Sequence, residues 1–343
     1  MARKDDSLRQ RLRALYGGLA IANVVVWGWS IAIFGESPVL LSLALLAYTL
    51  GLRHAVDADH IAAIDNVTRK LMQTGQRPVG VGLFFSLGHA SVVIALSVVI
   101  AATATALQDR LGDLKATAEL VGIGISAAFL GLIALANGVV LAGLWRSFRR
   151  VRTGGRFVEA DLDRLLIGGG IMARLCHRLF RLIGQSWHMY PLGLLFGLGF
   201  DTATEVGVVG ISATQATQGL PIWSILLFPA LFAAGMALVD SLDGTLMLGA
   251  YEWAFVRPVR KLYYNMTLTL MSVLIALLVG GAEVLGLLAD RFSLDGPFWM
   301  AIDRLNDNSG VVGLLIAGLF ATIWLASAMI WRGKDNGRIA VES

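Results

Sequence analysis

The stretch RHAVDADH, residues 53–60, sets Arg53, His54, Asp57, Asp59 and His60 within eight positions, just after the apolar run PVLLSLALLAYTL. Three later apolar segments carry the same kind of group: His89 in FFSLGHASVV, Asp201 and Glu205 in LGFDTATEV, and Asp240 and Asp243 in GMALVDSLDGTLM. Titratable side chains inside hydrocarbon are costly, and they are kept where they face a bundle interior or a cavity that passes a substrate. Imidazole and carboxylate together form a donor set for divalent transition metals. Three histidines argue against magnesium or calcium, whose preferred ligands are oxygens. A single cysteine and few nearby methionines (Met236, Met247) argue against a copper(I) path. The six carboxylates exceed Arg53 by five formal negative charges if all are ionised, and a cation would relieve part of that excess.

Geometry sorts these groups only in part. On a continuous helix Arg53, Asp57 and His60 fall within about 60° of one another, with His54 to one side and Asp59 over ~100° away. Asp59 therefore either serves another neighbour or marks a local unwinding of the helix. Arg53 and Asp57, four residues apart, are placed for an ion pair. A polar cluster that only neutralises itself and pins helices together would account for Arg53. It would not account for three imidazoles beside six carboxylates. The metals left open are nickel, cobalt, zinc, manganese and iron(II), and selection among them must come from site geometry. Adjacent Cys176 and His177, and His188, lack ligand spacing and read as interfacial side chains.

The elements that must position these groups are membrane helices. The chain of 343 residues is 56% hydrophobic and only 15% charged, with a mean hydropathy of +0.70, the balance of an all-α polytopic membrane protein. Runs long enough to cross hydrocarbon, about 20 residues each, lie near 15–34, 39–64, 79–106, 118–146, 190–214, 222–249, 263–289 and 309–331, which predicts about eight spans. With the N-terminus inside, five Lys and Arg fall in residues 1–14, three in 65–78, nine in 146–188, three in 251–262 and three after 331, against four on the opposite side. That bias places both termini in the cytoplasm, and the basic pI then reflects topology, with no nucleic-acid partner required. The chain divides into a first half at 1–146, a basic cytoplasmic loop with an amphipathic helix at 147–189, and a second half at 190–343.

The halves contain an apparent repeat. LGLRHAVDA at 50–58 can be laid on LGFDTATEV at 198–206, and GHASVV at 88–93 on GMALVD at 235–240. Spans 2 and 3 then correspond to 5 and 6, and the odd offset makes the repeats inverted across the membrane, which places a substrate near the midplane at broken helices.

At these residues the sequence resembles the nickel/cobalt transporter family, the bacterial high-affinity nickel and cobalt permeases. The family's Arg-His-Ala-x-Asp-Ala-Asp-His-Ile signature appears as RHAVDADHI at 53–61, and its Phe-Phe-Ser-Leu-Gly-His-Ser-Thr-Val-Val motif as FFSLGHASVV at 84–93, with Ala90 and Ser91 moving the small polar side chain. LGFDTATE at 198–205 and GMALVDSLDG at 235–244 complete four motifs in order. The resemblance implies eight helices in the bacterial inner membrane and uptake of nickel(II), cobalt(II) or both as substrate, with no cofactor. It also implies metal handling by His54, Asp57, Asp59, His60 and His89, with Asp201, Glu205, Asp240 and Asp243 contributing from the second half and Arg53 supporting a carboxylate. Alternating access around a midplane site is the expected mechanism, with imidazole protonation as one route to release.

Other classes are weighed on the same residues. No phosphate-cradling glycine loop is present and no ATPase subunit is evident. Related exporters often carry a histidine-rich cytoplasmic loop, and the two histidines here favour import over efflux. An intramembrane metalloenzyme would be the different class, but no His-Glu-x-x-His motif occurs. The sequence leaves the oligomeric state and the nickel-to-cobalt preference open.

Overall fold

A computed structural model of the chain describes residues 2–103, 183–198, 203–254 and 258–308, with scattered positions between 128 and 149 and between 310 and 322. No strand occurs among the described residues. The helices are α1 (Ala2–Phe34), α2 (Pro38–His54), α3 (Ala58–Gln73), α4 (Val81–Thr103), α5 (Met189–Gly197), α6 (Ala203–Thr217), α7 (Ile222–Ile225), α8 (Leu227–Ala254), α9 (Pro258–Phe292) and α10 (Pro297–Asp307). Four of the described helical stretches are long and apolar enough to cross a membrane, at Asp6–Phe34, Val81–Val99, Ile222–Glu252 and Thr269–Phe292, and a fifth arises if α2 and α3 form one bent span. The predicted spans at 118–146 and 309–331 and most of the loop at 147–189 fall largely outside the described residues.

The second span is broken where its charges begin. Ser37 caps α2 by accepting the amide of Leu40, and Pro38 occupies the first turn, where its missing N–H costs nothing. After His54 the hydrogen bonds tighten, with the amides of Val56 and Asp57 donating to the carbonyls of Arg53 and His54 at 3.1 and 2.9 Å. Asp57 then turns extended, at φ −64° and ψ 147°, and the chain restarts as α3 with a bend of 52°. Of the two explanations open for Asp59, the local unwinding is what occurs. The break puts Asp57 and Asp59 at the start of α3, where the helix dipole favours negative charge.

The expected loop at 65–78 needs correcting. α3 continues to Gln73, and Asp65, Asn66, Thr68 and Arg69 on it are buried. A hydropathy reading ends a span at its first polar run. Here the polar groups bond one another inside the bundle, so Arg69 does not belong to a solvent loop. The true turn is tied down nearby: Lys70 Nζ donates to the Ile183 carbonyl at 2.7 Å, and Gln76 Nε2 to that of Gly184 at 2.9 Å.

Two backbone seams hold the site. Gly51 of α2 lies against the carbonyl of Phe232 on α8, and Gly235 of α8 against that of Tyr48 on α2. Gly88 of α4 meets the carbonyl of Tyr190 on α5, and Gly193 of α5 that of Phe85 on α4. A β-carbon at any of the four would overlap backbone, so only glycine lets the helices approach this closely. Both seams join a Tyr-x-x-Gly helix to a Phe-x-x-Gly helix.

Candidate metal centre

Three imidazoles converge at the break. His54 ends α2, His60 is the third residue of α3, and His89 sits in the middle of α4. All three are at most 2% exposed, and one ligand nitrogen from each lies within 4.8 Å of the others. The Nε2 atoms of His54 and His89 are 3.0 Å apart. Two nitrogens bound side by side to one ion, at about 2.1 Å each, sit at about that separation. Nε2 of His60 is buried with no hydrogen-bond partner, as suits a lone pair reserved for a cation. Phe85 closes one side edge-on to His60, with ring centroids 4.8 Å apart.

Carboxylates orient these rings from behind. Nδ1 of His54 pairs with Asp57 Oδ2 at 3.0 Å, with the Thr204 hydroxyl 3.2 Å from the same nitrogen. Nδ1 of His60 pairs with both oxygens of Asp240, at 3.3 and 3.2 Å, and the Ser86 hydroxyl donates to Asp240 Oδ2 at 2.6 Å. A carboxylate on the far nitrogen fixes the tautomer and raises ligand basicity. Glu205 is placed differently, with Oε1 2.7 Å from Nε2 of His89, on the converging side. Two of these pairs cross between the halves: His60 on α3 meets Asp240 on α8, and Glu205, third residue of α6, meets His89 on α4.

Six of the nine expected metal-handling residues thus gather at one centre: His54, Asp57, His60, His89, Glu205 and Asp240. Asp59 is half-buried in the first turn of α3, within electrostatic reach of His60. Asp201 lies outside the described residues. Asp243 sits one turn beyond Asp240 on α8, and its Oδ2 has no hydrogen-bond partner. Arg53 pairs loosely with Asp57, at 3.7 Å, and its side chain is 41% exposed. Sequence reasoning missed Ser86 and Thr204, which supply hydroxyls, and the buried group formed by Asp65, Asn66 and Arg69. The Asp65–Arg69 spacing of four along a helix was the available signal for that group.

The comparisons with known proteins decide the family. The model of the high-affinity nickel-transport protein family matches residues 40–330. The chain belongs to this family. A high-affinity nickel transport protein of Cupriavidus necator is 56% identical over 324 residues, covering 94% of this chain and 92% of that protein. The hydrogenase nickel incorporation protein HupN of Bradyrhizobium diazoefficiens is 52% identical, over 93% of this chain and 83% of its own. A relative named for the other metal, the cobalt transport protein NhlF of Rhodococcus rhodochrous, is 39% identical, over 94% and 92%. No solved structure matches the chain. The family, and the relatives named for nickel or cobalt transport, are transport proteins, not enzymes.

Proposed function

We propose that the protein imports nickel(II), cobalt(II) or both across the cytoplasmic membrane as a secondary transporter, holding the ion near the midplane on His54, His60 and His89 with Glu205. The observation that carries this reading is the convergence of three buried imidazole nitrogens within 4.8 Å, with carboxylates behind His54 and His60. Asp57 and Asp240 orient the rings, and Asp59 adds to the negative field beside them. Formal charge on the carboxylates offsets the ion's dehydration, and the imidazoles restrict it to transition metals.

The way the halves interlock supports alternating access. The two glycine seams support an inverted repeat in which Tyr48 and Gly51 correspond to Tyr190 and Gly193, and Phe85 and Gly88 to Phe232 and Gly235. For the first pair this register differs by six residues from the one that lays Gly51 on Gly199. The helices α3 and α6 each present their third residue to a long helix of the other half, His60 to α8 and Glu205 to α4. Rocking one half against the other moves the ion's exit without dismantling both cross-half pairs. The Lys and Arg bias still favours cytoplasmic termini after Arg69 is set aside.

The test is radiolabelled nickel and cobalt uptake by liposomes containing only the purified protein. Saturable uptake by the wild type, lost in His60→Ala and in Glu205→Ala, is expected. Normal transport by His60→Ala would make the histidine cluster structural and refute the assignment.

A further inference from the structure

Past the histidines, toward the ends of α3 and α8 and the start of α9, the core stays polar. Asp65, five residues beyond His60 and about 7.5 Å further along α3, is 1% exposed. Its carboxylate accepts hydrogen bonds from the Tyr251 hydroxyl of α8 and, at 3.2 Å, from Ser272 of α9. Arg69, also buried, spends its recorded hydrogen bonds on Thr269 and Asn66, both at 3.0 Å. On α8, Asp243 is half-buried within electrostatic reach of Asp65, Asp240 and His60, and a β-carbon on the next residue, Gly244, would lie 3.5 Å from the side chain of Ile64, which precedes Asp65. Oδ2 of Asp243 is shielded from water and accepts no hydrogen bond. Thr68 is fully buried with an unpartnered hydroxyl, and being three residues from Asp65 it lies beside it on the helix surface.

Asp57, Asp65, Glu205 and Asp240 each have a polar partner on their carboxylates. A buried carboxylate oxygen with none is costly unless a cation completes it. Asp65 and Asp243 set against Arg69 leave one formal negative charge if both are ionised, an excess that a cation would relieve. Two hydroxyl donors leave lone pairs on Asp65, since an ionised carboxylate has about four acceptor positions.

We propose that Asp65 and Asp243, with Thr68 beside them, form a second, oxygen-only station for a divalent cation, one to two helical turns past the histidines. It rests on the reading of the histidines as the first holding point. Oxygen donors hold nickel and cobalt less tightly than imidazoles do. An ion handed from nitrogen to oxygen ligands is therefore part-way to release into water, and the station gives the path a direction.

Manganese(II), which accepts all-oxygen sites, is the probe. Its binding to the purified full-length protein is followed by electron paramagnetic resonance, beside equilibrium binding of nickel(II). In the variant His54→Ala/His60→Ala/His89→Ala, tight nickel binding is lost while manganese binding persists. Adding Asp65→Asn or Asp243→Asn to that variant weakens manganese at least tenfold. In the otherwise wild-type protein, Asp243→Asn leaves nickel affinity within about threefold but slows uptake about tenfold. No manganese binding by the folded triple variant, or binding indifferent to both Asn substitutions, overturns the second station. Nickel affinity unchanged in the triple variant instead overturns the histidine site. Should Asp65→Asn fail to fold, Asp243→Asn alone decides, because Asp243 has no recorded hydrogen bond to lose.

Discussion

The two sides of the histidine centre are built from opposite materials. Toward the end of α1 and the starts of α2 and α8 the core is apolar: Phe34 stacks on Phe228 with centroids 5.2 Å apart, and Ala44, Ala47, Leu231 and Phe232 close around them, all at most 1% exposed. Toward the end of α3 it is a hydrogen-bonded group of Asp65, Asn66, Arg69, Tyr251, Thr269 and Ser272. Parting the first to admit water exposes apolar surface at about 25 cal/mol per Å². Parting the second exchanges protein partners for water at a net cost of only about 1 kcal/mol per hydrogen bond. The two sides resist hydration by different physics, and among the described residues the oxygen donors named here lie on the polar side.

The centre between the two sides is where a substitution costs most. His89 touches both the His54 imidazole and the Glu205 carboxylate, so His89→Ala is expected to lower nickel uptake at least ~100-fold at matched membrane abundance. A loss under tenfold would mean that the remaining ligands suffice and that the centre is less cooperative than its geometry. On the apolar side Phe232→Ala should cost about 3–5 kcal/mol, read as a lowered unfolding temperature in detergent. On the polar side Tyr251→Phe should cost about 1 kcal/mol, because the lost hydroxyl leaves Asp65 with Ser272. Equal costs for Phe232→Ala and Tyr251→Phe would erase the contrast between the two sides.

Much of the centre was legible in the sequence because charge in an apolar run is loud. His54, Asp57, His60, His89, Glu205 and Asp240 were all named from that signal, and the structure joins them. Tertiary placement was not legible. Whether Asp59 turned away or the helix broke depended on backbone geometry at residues 55–57, and the polar groups of α3 beyond Ile64 looked like a loop because their partners lie on α8 and α9. The glycine seams were half visible: the glycines stand in the sequence motifs, but which carbonyl each one meets, Phe232 for Gly51 and Phe85 for Gly193, is a tertiary fact. The span count and the long loop rest on residues 104–127 and 151–182, outside those described.

Gly82 offers a sharper probe that ties the seams to the chemistry. A β-carbon there would overlap the carbonyl of Asp240, whereas at Gly249 it would meet nothing within 4 Å. Gly82→Ala should therefore destabilise by about 1–3 kcal/mol and lower uptake by displacing the carboxylate behind His60, while Gly249→Ala changes neither. Equal behaviour of the two variants would show that α4 and α8 can separate without moving Asp240.

The smallest effect is expected at Arg53, the one cation in the signature. Its guanidinium is 3.7 Å from Asp57 Oδ1 and 41% exposed, and a partly solvated pair of that length contributes under about 1 kcal/mol. Asp57 keeps its closer partner, His54 Nδ1 at 3.0 Å, when Arg53 is replaced. Arg53→Gln should therefore leave uptake within about threefold of the wild type and the unfolding temperature almost unchanged, provided the side chain only biases Asp57. A loss comparable to that of His89→Ala would place Arg53 in the ion's path, where a positive charge between the apolar side and the histidines would act as a barrier that must move before the ion can.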